Sequence, residues 1–280
     1  MKNKYSRPLS ASVKLVTSAG QETWLVSLAA DEDKALVLSC RKPAVMSAVK
    51  SIKLIVSAEG RSSVKTRTLA VSESKPDMVA IKTTKPVTID GDLSDWDNVI
   101  PIVSDKHEQV TPPDPGFWDG PDDLSFAAYL MHDDNYLYFA CKVRDDVHKN
   151  DEIPGKIWAG DSIQLGLANQ DTPFNYTEIN FGLSTIAGKV GYETLGPDAG
   201  KPLEGLKFAT KGGNGELTYE IAIPLSSLKG IQISPGSVIR CAFIVNDVDD
   251  TARKWIGIKD PSLIGANKDA KFFPTLYIKP

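Results

Sequence analysis

From residue 9 to residue 72 apolar and polar side chains alternate, as in Ser12-Val13-Lys14-Leu15-Val16, Thr23-Trp24-Leu25-Val26-Ser27-Leu28 and Ser51-Ile52-Lys53-Leu54-Ile55-Val56. A period of two marks half-buried β-strands. Turn-forming residues at Ser18-Ala19-Gly20-Gln21, Asp31-Glu32-Asp33 and Glu59-Gly60-Arg61 space five or six such strands as in a small immunoglobulin-like sandwich. Ser72-Glu73-Ser74-Lys75-Pro76-Asp77 reads as a linker. Beyond it the pattern predicts about ten more strands: Val87–Ile89, Leu124–Met131, Tyr136–Val143, Ser162–Leu167, Tyr176–Phe181, Lys189–Tyr192, Leu217–Ile223, Val238–Val245, Lys254–Ile258 and Phe272–Ile278. Their short spacing predicts a second, larger antiparallel sandwich. Helical periodicity is confined to short turns such as Pro224 to Leu228, and no fixed-period repeat occurs. The expected fold is all-β, with domains at 1–78 and 79–280, which suits a chain of 280 residues.

Composition narrows the classes. Hydrophobic residues are 41% and charged residues 24%, as in a globular protein, and no apolar run is long enough for a membrane-spanning helix. Residues 1–78 carry 13 Lys and Arg against 7 Asp and Glu, whereas 79–280 carry 19 against 29. An acidic larger domain repels phosphates, so nucleic acid is not an expected partner, while neutral ligands and divalent cations are. Cys40, Cys141 and Cys241 are far apart and read as buried strand thiols rather than a disulfide or zinc framework. Met1 to Pro8 is charged without an apolar segment behind it, so it does not read as a signal peptide.

Catalytic signatures do not accumulate. His107, His132 and His148 lack metalloprotease spacing, and neither a Gly-x-Ser-x-Gly elbow nor a Gly-rich phosphate loop occurs. The chain is therefore expected not to be an enzyme, and no organic cofactor is expected. The irregular stretch Ser104 to Asp123 carries Phe117 and Trp118, two large aromatics expected to plug onto the sandwich, Phe117 more than Trp118. Trp24 and Trp96 are expected in cores. Trp158 follows the turn residues Pro154-Gly155-Lys156, where exposure fits a binding role, and the face that Trp255 presents is open.

Four short motifs in order carry a resemblance. Val87-Thr88-Ile89-Asp90-Gly91 leads to Trp96; Asp133-Asp134-Asn135-Tyr136-Leu137-Tyr138 leads to Val143-Arg144-Asp145; Trp158-Ala159-Gly160-Asp161-Ser162 opens a strand; and Asn246-Asp247 with Asp260-Pro261 comes near the end. From about residue 81 to 280 the chain resembles carbohydrate-binding module family 9. The resemblance implies a sandwich of jelly-roll type that binds sugars, often at chain ends, with a pyranose between two tryptophans and polar side chains on its hydroxyls. It places Trp158 in one half of the clamp and Asn180 among the inner contacts. Gln164 stands where the family has an acid, and Asp260 to Asn267 lacks the second tryptophan, so either Trp118 or Trp255 takes that place, the ligand differs, or sugar binding is lost. It further implies a structural Ca²⁺, with acids grouped at Asp90, Asp92 and Asp95, at Asp133 and Asp134, at Asp145, Asp146, Asp151 and Glu152, and at Asp247, Asp249 and Asp250; which of them would serve is open. The expected context is a polysaccharide-degrading protein, extracellular or on the cell surface, with a catalytic domain elsewhere in the full-length product. The alternatives are a spacer without ligand and a haem-binding electron-transfer domain using Met131, His132 or His148. Adjacent strand residues face opposite sides, so Met131 and His132 cannot both ligate one haem.

Overall fold

The computed structural model describes residues 3–17, 20–33, 52–59, 61–67, 76–112, 118–152, 155–173, 176–212, 215–228, 230–249, 253–266 and 268–280. Chain contacts divide it into two compact units, Met1–Lys75 and Pro76–Pro280. Every helix among the described residues is a single turn, and none is long and apolar enough to cross a membrane.

In the first unit four strands, β1 (Leu9–Thr17), β2 (Gly20–Leu28), β3 (Ile52–Ala58) and β4 (Arg61–Arg67), form one antiparallel sheet in the order β2-β1-β3-β4. Strands β1 and β2 pair in a register that places Val13 opposite Trp24. Ala11, Val13 and Leu28 are buried and Trp24 is half-buried. Cys40 and the further strands expected between 34 and 51 and after 67 lie outside the described residues.

The second unit contains β5 (Met78–Lys82), β6 (Ile102–Ser104), β7 (Val110–Thr111), β8 (Leu124–His132), β9 (Tyr136–Asp145), β10 (Ser162–Asn169), β11 (Tyr176–Leu183), β12 (Val190–Leu195), β13 (Lys207–Gly212), β14 (Glu216–Pro224), β15 (Val238–Val248), β16 (Arg253–Gly257) and β17 (Thr275–Ile278). They run β12-β11-β10-β15-β17-β5-β8-β9-β14-β13, with β16 and β7 continuing beside β15 and β6 beside β8. Strand β5 joins the two halves, pairing in parallel with β17 through Met78 and with β8 through Ile81. The halves fold over one core of Phe126, Phe139, Ile163, Leu165, Phe181, Ile221 and Phe243, where Phe139 meets Phe243 edge-on at 5.0 Å between centroids. Cys141 and Cys241 are buried strand thiols of this core. Burial pushes both thiols up, Cys241 to about 12.

Two expectations are corrected. Val87–Ile89 is not a strand: it crosses the outer face of β8, β9 and β14, where Val87, Ile89 and Trp96 pack against Met131, Tyr138 and Ala222. Backbone pairing gives way there to a carboxylate. Buried Glu220 accepts hydrogen bonds from Asp90 N and Gly91 N and from the Trp96 indole, each at 2.9 Å. Gly91 has φ +84°, and a Cβ on it would lie 2.7 Å from Lys211, so the turn admits only glycine. The stretch from Ser104 to Asp123 is also not wholly irregular. His107–Gln109 forms a turn of 3-10 helix, and β7 adds to β16 with Thr111 opposite Trp255. Phe117 lies outside the described residues.

Candidate functional site

Alternation divides the side chains of β10, β11 and β15 between the core and an outer face. On that outer face the register aligns Ser162 with Asn246, Gln164 with Asn180, and Asn180 with Glu193. Gln164 is 2% exposed and Asn180 0%, yet Gln164 Oε1, Asn180 Oδ1 and Asn246 Oδ1 have no hydrogen-bond partner among the described residues. Buried amide oxygens without donors are costly, about 1–3 kcal/mol each, and here three lie on one face.

The edge of that face is aromatic. Trp158 lies on the turn Ile157–Ala159, which buried Ile157 plugs and buried Asn150 ties by donating from Nδ2 to Ile157 O (3.1 Å) and Asp161 O (2.9 Å). Glu193 joins this turn to the polar row, accepting from Lys156 N at 3.1 Å and from Asn180 Nδ2 at 3.2 Å. Trp255 projects from β16 beside Asn246 and donates its indole N–H to Pro261 O at 3.2 Å. A Cβ on Gly265 would lie 2.6 Å from that indole nitrogen, so glycine lets the ring lie against the turn Ser262–Gly265. The Arg253 guanidinium sits 5.0 Å from the Trp158 ring centre and 4.7 Å from that of Trp255, and Nη1 donates to Trp158 O at 2.9 Å. Burial lowers the pKa of the Arg253 guanidinium.

Trp158, Gln164, Asn180 and Trp255 thus share one face. Trp118 does not join them: it packs against the central core, donates to Leu124 O at 2.8 Å and lies 6.0 Å from His107, ring centre to ring centre. Asn150, Glu193, Asn246 and Arg253 were not legible as site residues. For Glu193 and Asn246 the signal is strand parity, which becomes usable only once the pairing of β10, β11, β12 and β15 is known; Asn150 lies outside any strand, and Arg253 opens β16.

The profile of the family described as "Carbohydrate family 9 binding domain-like" matches residues 103–278. The chain belongs to that family. Among solved structures, two of a family 9 carbohydrate-binding module from Caldicellulosiruptor kristjanssonii, one in complex with cellotriose and one with glucose, are each 20% identical to it. Both cover 72% of this chain; the matches take in 93% and 95% of those chains, with TM-scores of 0.53 and 0.54. At this identity the likeness establishes the fold of this family 9 chain. No curated protein matches it.

The family's expected cation directs attention to acids at one end of the sandwich. Ligand oxygens of Asp145, Asp247 and Asp249 gather within 4.8 Å, and so do those of Asp123, Asp146 and Asp249; Asp145, His148 and Asp161 form a third such group. Asp161 accepts from Val248 N at 2.8 Å and from Lys149 N. Burial, then the Asp161 carboxylate, pushes Asp145 up to about 7; burial, with Asp145 and Asp161 nearby and against the pull of Lys254, pushes Asp247 up to about 8. Asp247 is fully buried, and its Oδ1 and that of Asp249 lack hydrogen-bond partners among the described residues. An all-oxygen set with unpartnered carboxylate oxygens fits Ca²⁺, and Asp145, Asp247 and Asp249 are the residues that would hold it.

Haem ligation finds no such grouping. Met131 packs on the outer cluster with Trp96, His132 bonds through Nε2 to Lys279 O at 2.7 Å, and His148 bonds through Nε2 to Leu183 O at 3.0 Å.

Proposed function

We propose that the chain is a non-catalytic module that binds a sugar ring on the outer face of β10, β11 and β15, between Trp158 and Trp255. The observation that carries the reading is the row of unpartnered buried amide oxygens of Gln164, Asn180 and Asn246 beside two indoles. Sugar hydroxyls supply donors in a row, and the C–H faces of a pyranose offer apolar area to flat rings. Arg253 adds N–H donors and spaces the indoles. A clamp over both faces of one ring suits the end of a chain, because an internal ring would have to thread it. The relatives in complex with cellotriose and glucose make a gluco-configured oligosaccharide the first ligand to try.

Asp145, Asp247 and Asp249 serve in this reading as a structural Ca²⁺ site, a use that fits extracellular calcium levels and a location outside the cell or on its surface. The module then works beside a catalytic domain in a larger polysaccharide-degrading protein, delivering it to its substrate. A glycan array followed by calorimetric titration tests the binding. Stacking and buried area supply about 1–3 kcal/mol per ring, and together with the hydroxyl hydrogen bonds a total of about 4–8 kcal/mol is expected, which corresponds to dissociation constants from millimolar to micromolar. No binding to any glycan would reduce the chain to a spacer.

A further inference from the structure

Lys254 is the middle residue between Arg253 and Trp255, and strand alternation sends it to the other face of β16, toward the acids. Its side chain is 7% exposed. The ammonium lies 2.8 Å from Asp123 Oδ1, 3.0 Å from Asp247 Oδ2 and 2.7 Å from Asp249 Oδ2. A lysine so deeply buried persists only when its charge is matched, and three carboxylates around one ammonium over-match it. Such an oxygen cage is also what a hard divalent ion requires.

The carboxylates of Asp247 and Asp249 meet the ammonium differently. Asp249 accepts a hydrogen bond from Lys254 through Oδ2 and leaves Oδ1 without a partner among the described residues, whereas Asp247 only faces the ammonium through Oδ2 and neither of its oxygens has a hydrogen-bond partner there. The ammonium touches two members of each oxygen group, but it donates hydrogen bonds only to Asp123 and Asp249, the pair that belongs to the group formed with Asp146, which places it on that side. One cluster therefore has two cation positions, and the chain fills one of them itself.

We infer that Lys254 is a resident cation, standing in for an external divalent ion on the Asp123–Asp249 side of the cluster. The Asp145 side remains for an exchangeable ion. Because Lys254 tethers β16 from the acid side, it positions Arg253 and Trp255 on the opposite face without waiting for metal. The inference uses the proposed Asp145 site as a reference, and its test separates the two.

Equilibrium dialysis against calcium is run on the whole chain as wild type, Lys254→Met, and Lys254→Met with Asp123→Asn. Lys254→Met is expected to take up one calcium equivalent more than the wild type, and the added Asp123→Asn to abolish that extra equivalent. In EDTA the Lys254→Met chain is expected to melt lower than the wild type and to bind oligosaccharide at least about tenfold more weakly, and calcium is expected to restore both. Equal uptake by wild type and Lys254→Met overturns the inference. So does a Lys254→Met chain that no calcium concentration restores, since an external ion would then not replace the ammonium. Wild-type uptake by itself reports on the Asp145 side; the difference between the chains decides Lys254.

Discussion

The two halves of the larger sandwich each carry a buried polar island on the outer face, and the islands differ in one respect. On the β14 half, Glu220 receives three N–H donors from Asp90, Gly91 and Trp96. On the β10 half, Gln164, Asn180 and Asn246 are as deeply buried, but each keeps an oxygen without a donor among the described residues. Burial and polarity are the same in both, so neither separates structure from function. Satisfaction does: the complete island closes a turn onto the sheet, and the incomplete one is the site proposed for the sugar.

The largest contrast lies in what each island does for stability. Replacing Glu220 by Leu strands two backbone N–H groups and the Trp96 indole, at about 1–3 kcal/mol per buried donor, so the chain should lose about 3–5 kcal/mol in denaturant unfolding. A loss under about 1 kcal/mol would mean that water reaches those donors and that the island is not structural. Burial raises the Glu220 pKa, yet its three donors need an acceptor in either protonation state.

Next in size is Trp158. Its ring rests over Arg253 on a turn held by Ile157 and Asn150, so truncation to Ala should remove about 1–3 kcal/mol of sugar affinity, roughly five- to 150-fold, and shift the melting temperature much less than Glu220→Leu does. Unchanged binding with a collapsed melting temperature would assign Trp158 to the core.

These contrasts show how far a linear reading reaches. The strands of the inner faces were legible because Leu124–His132 and Val238–Val248 place apolar residues at every second position against the core. The Asp90-Gly91 turn was legible too, but not its anchor, since Glu220 lies 130 residues from Asp90. Strand β5 was missed because five residues split between two parallel partners offer little pattern. Val87–Ile89 has strand composition, but tertiary packing over Trp96 overrides it. Trp158 and Asn180 could be named from motifs. Trp255 could be placed only by its register opposite Asn246, and the Lys254–Asp123 pair, 131 residues apart, has no sequence signal at all.

A smaller effect concerns the acid cluster. The folded-state pKa values of Asp145, about 7, and Asp247, about 8, lie above the ordinary 3.8, so the folded chain binds protons more tightly there than the unfolded one. That contribution is complete below about pH 4 and is lost as pH rises through 7 to 8. His148, raised chiefly by Asp161 against the opposing effect of burial, works in the same direction. In EDTA, stability should fall as pH rises from 6 to 9, and calcium should flatten the fall. A profile that stays flat in EDTA would mean that these carboxylates are solvated.

The smallest expected change in stability is also the most telling. Gln164→Leu keeps the volume of the side chain and removes a buried oxygen that nothing in the described structure satisfies, so melting should stay within about 1 kcal/mol of the wild type, on the stabilising side. Calorimetric titration of cellotriose into the wild type and Gln164→Leu, with melting curves on the same samples, tests the account directly. It predicts micromolar to millimolar binding by the wild type and at least a tenfold loss in the variant at an equal or higher melting temperature. Equal binding by both chains, or a variant that binds normally but melts several degrees lower, would show that Gln164 belongs to the scaffold and that the sugar, if bound, sits elsewhere.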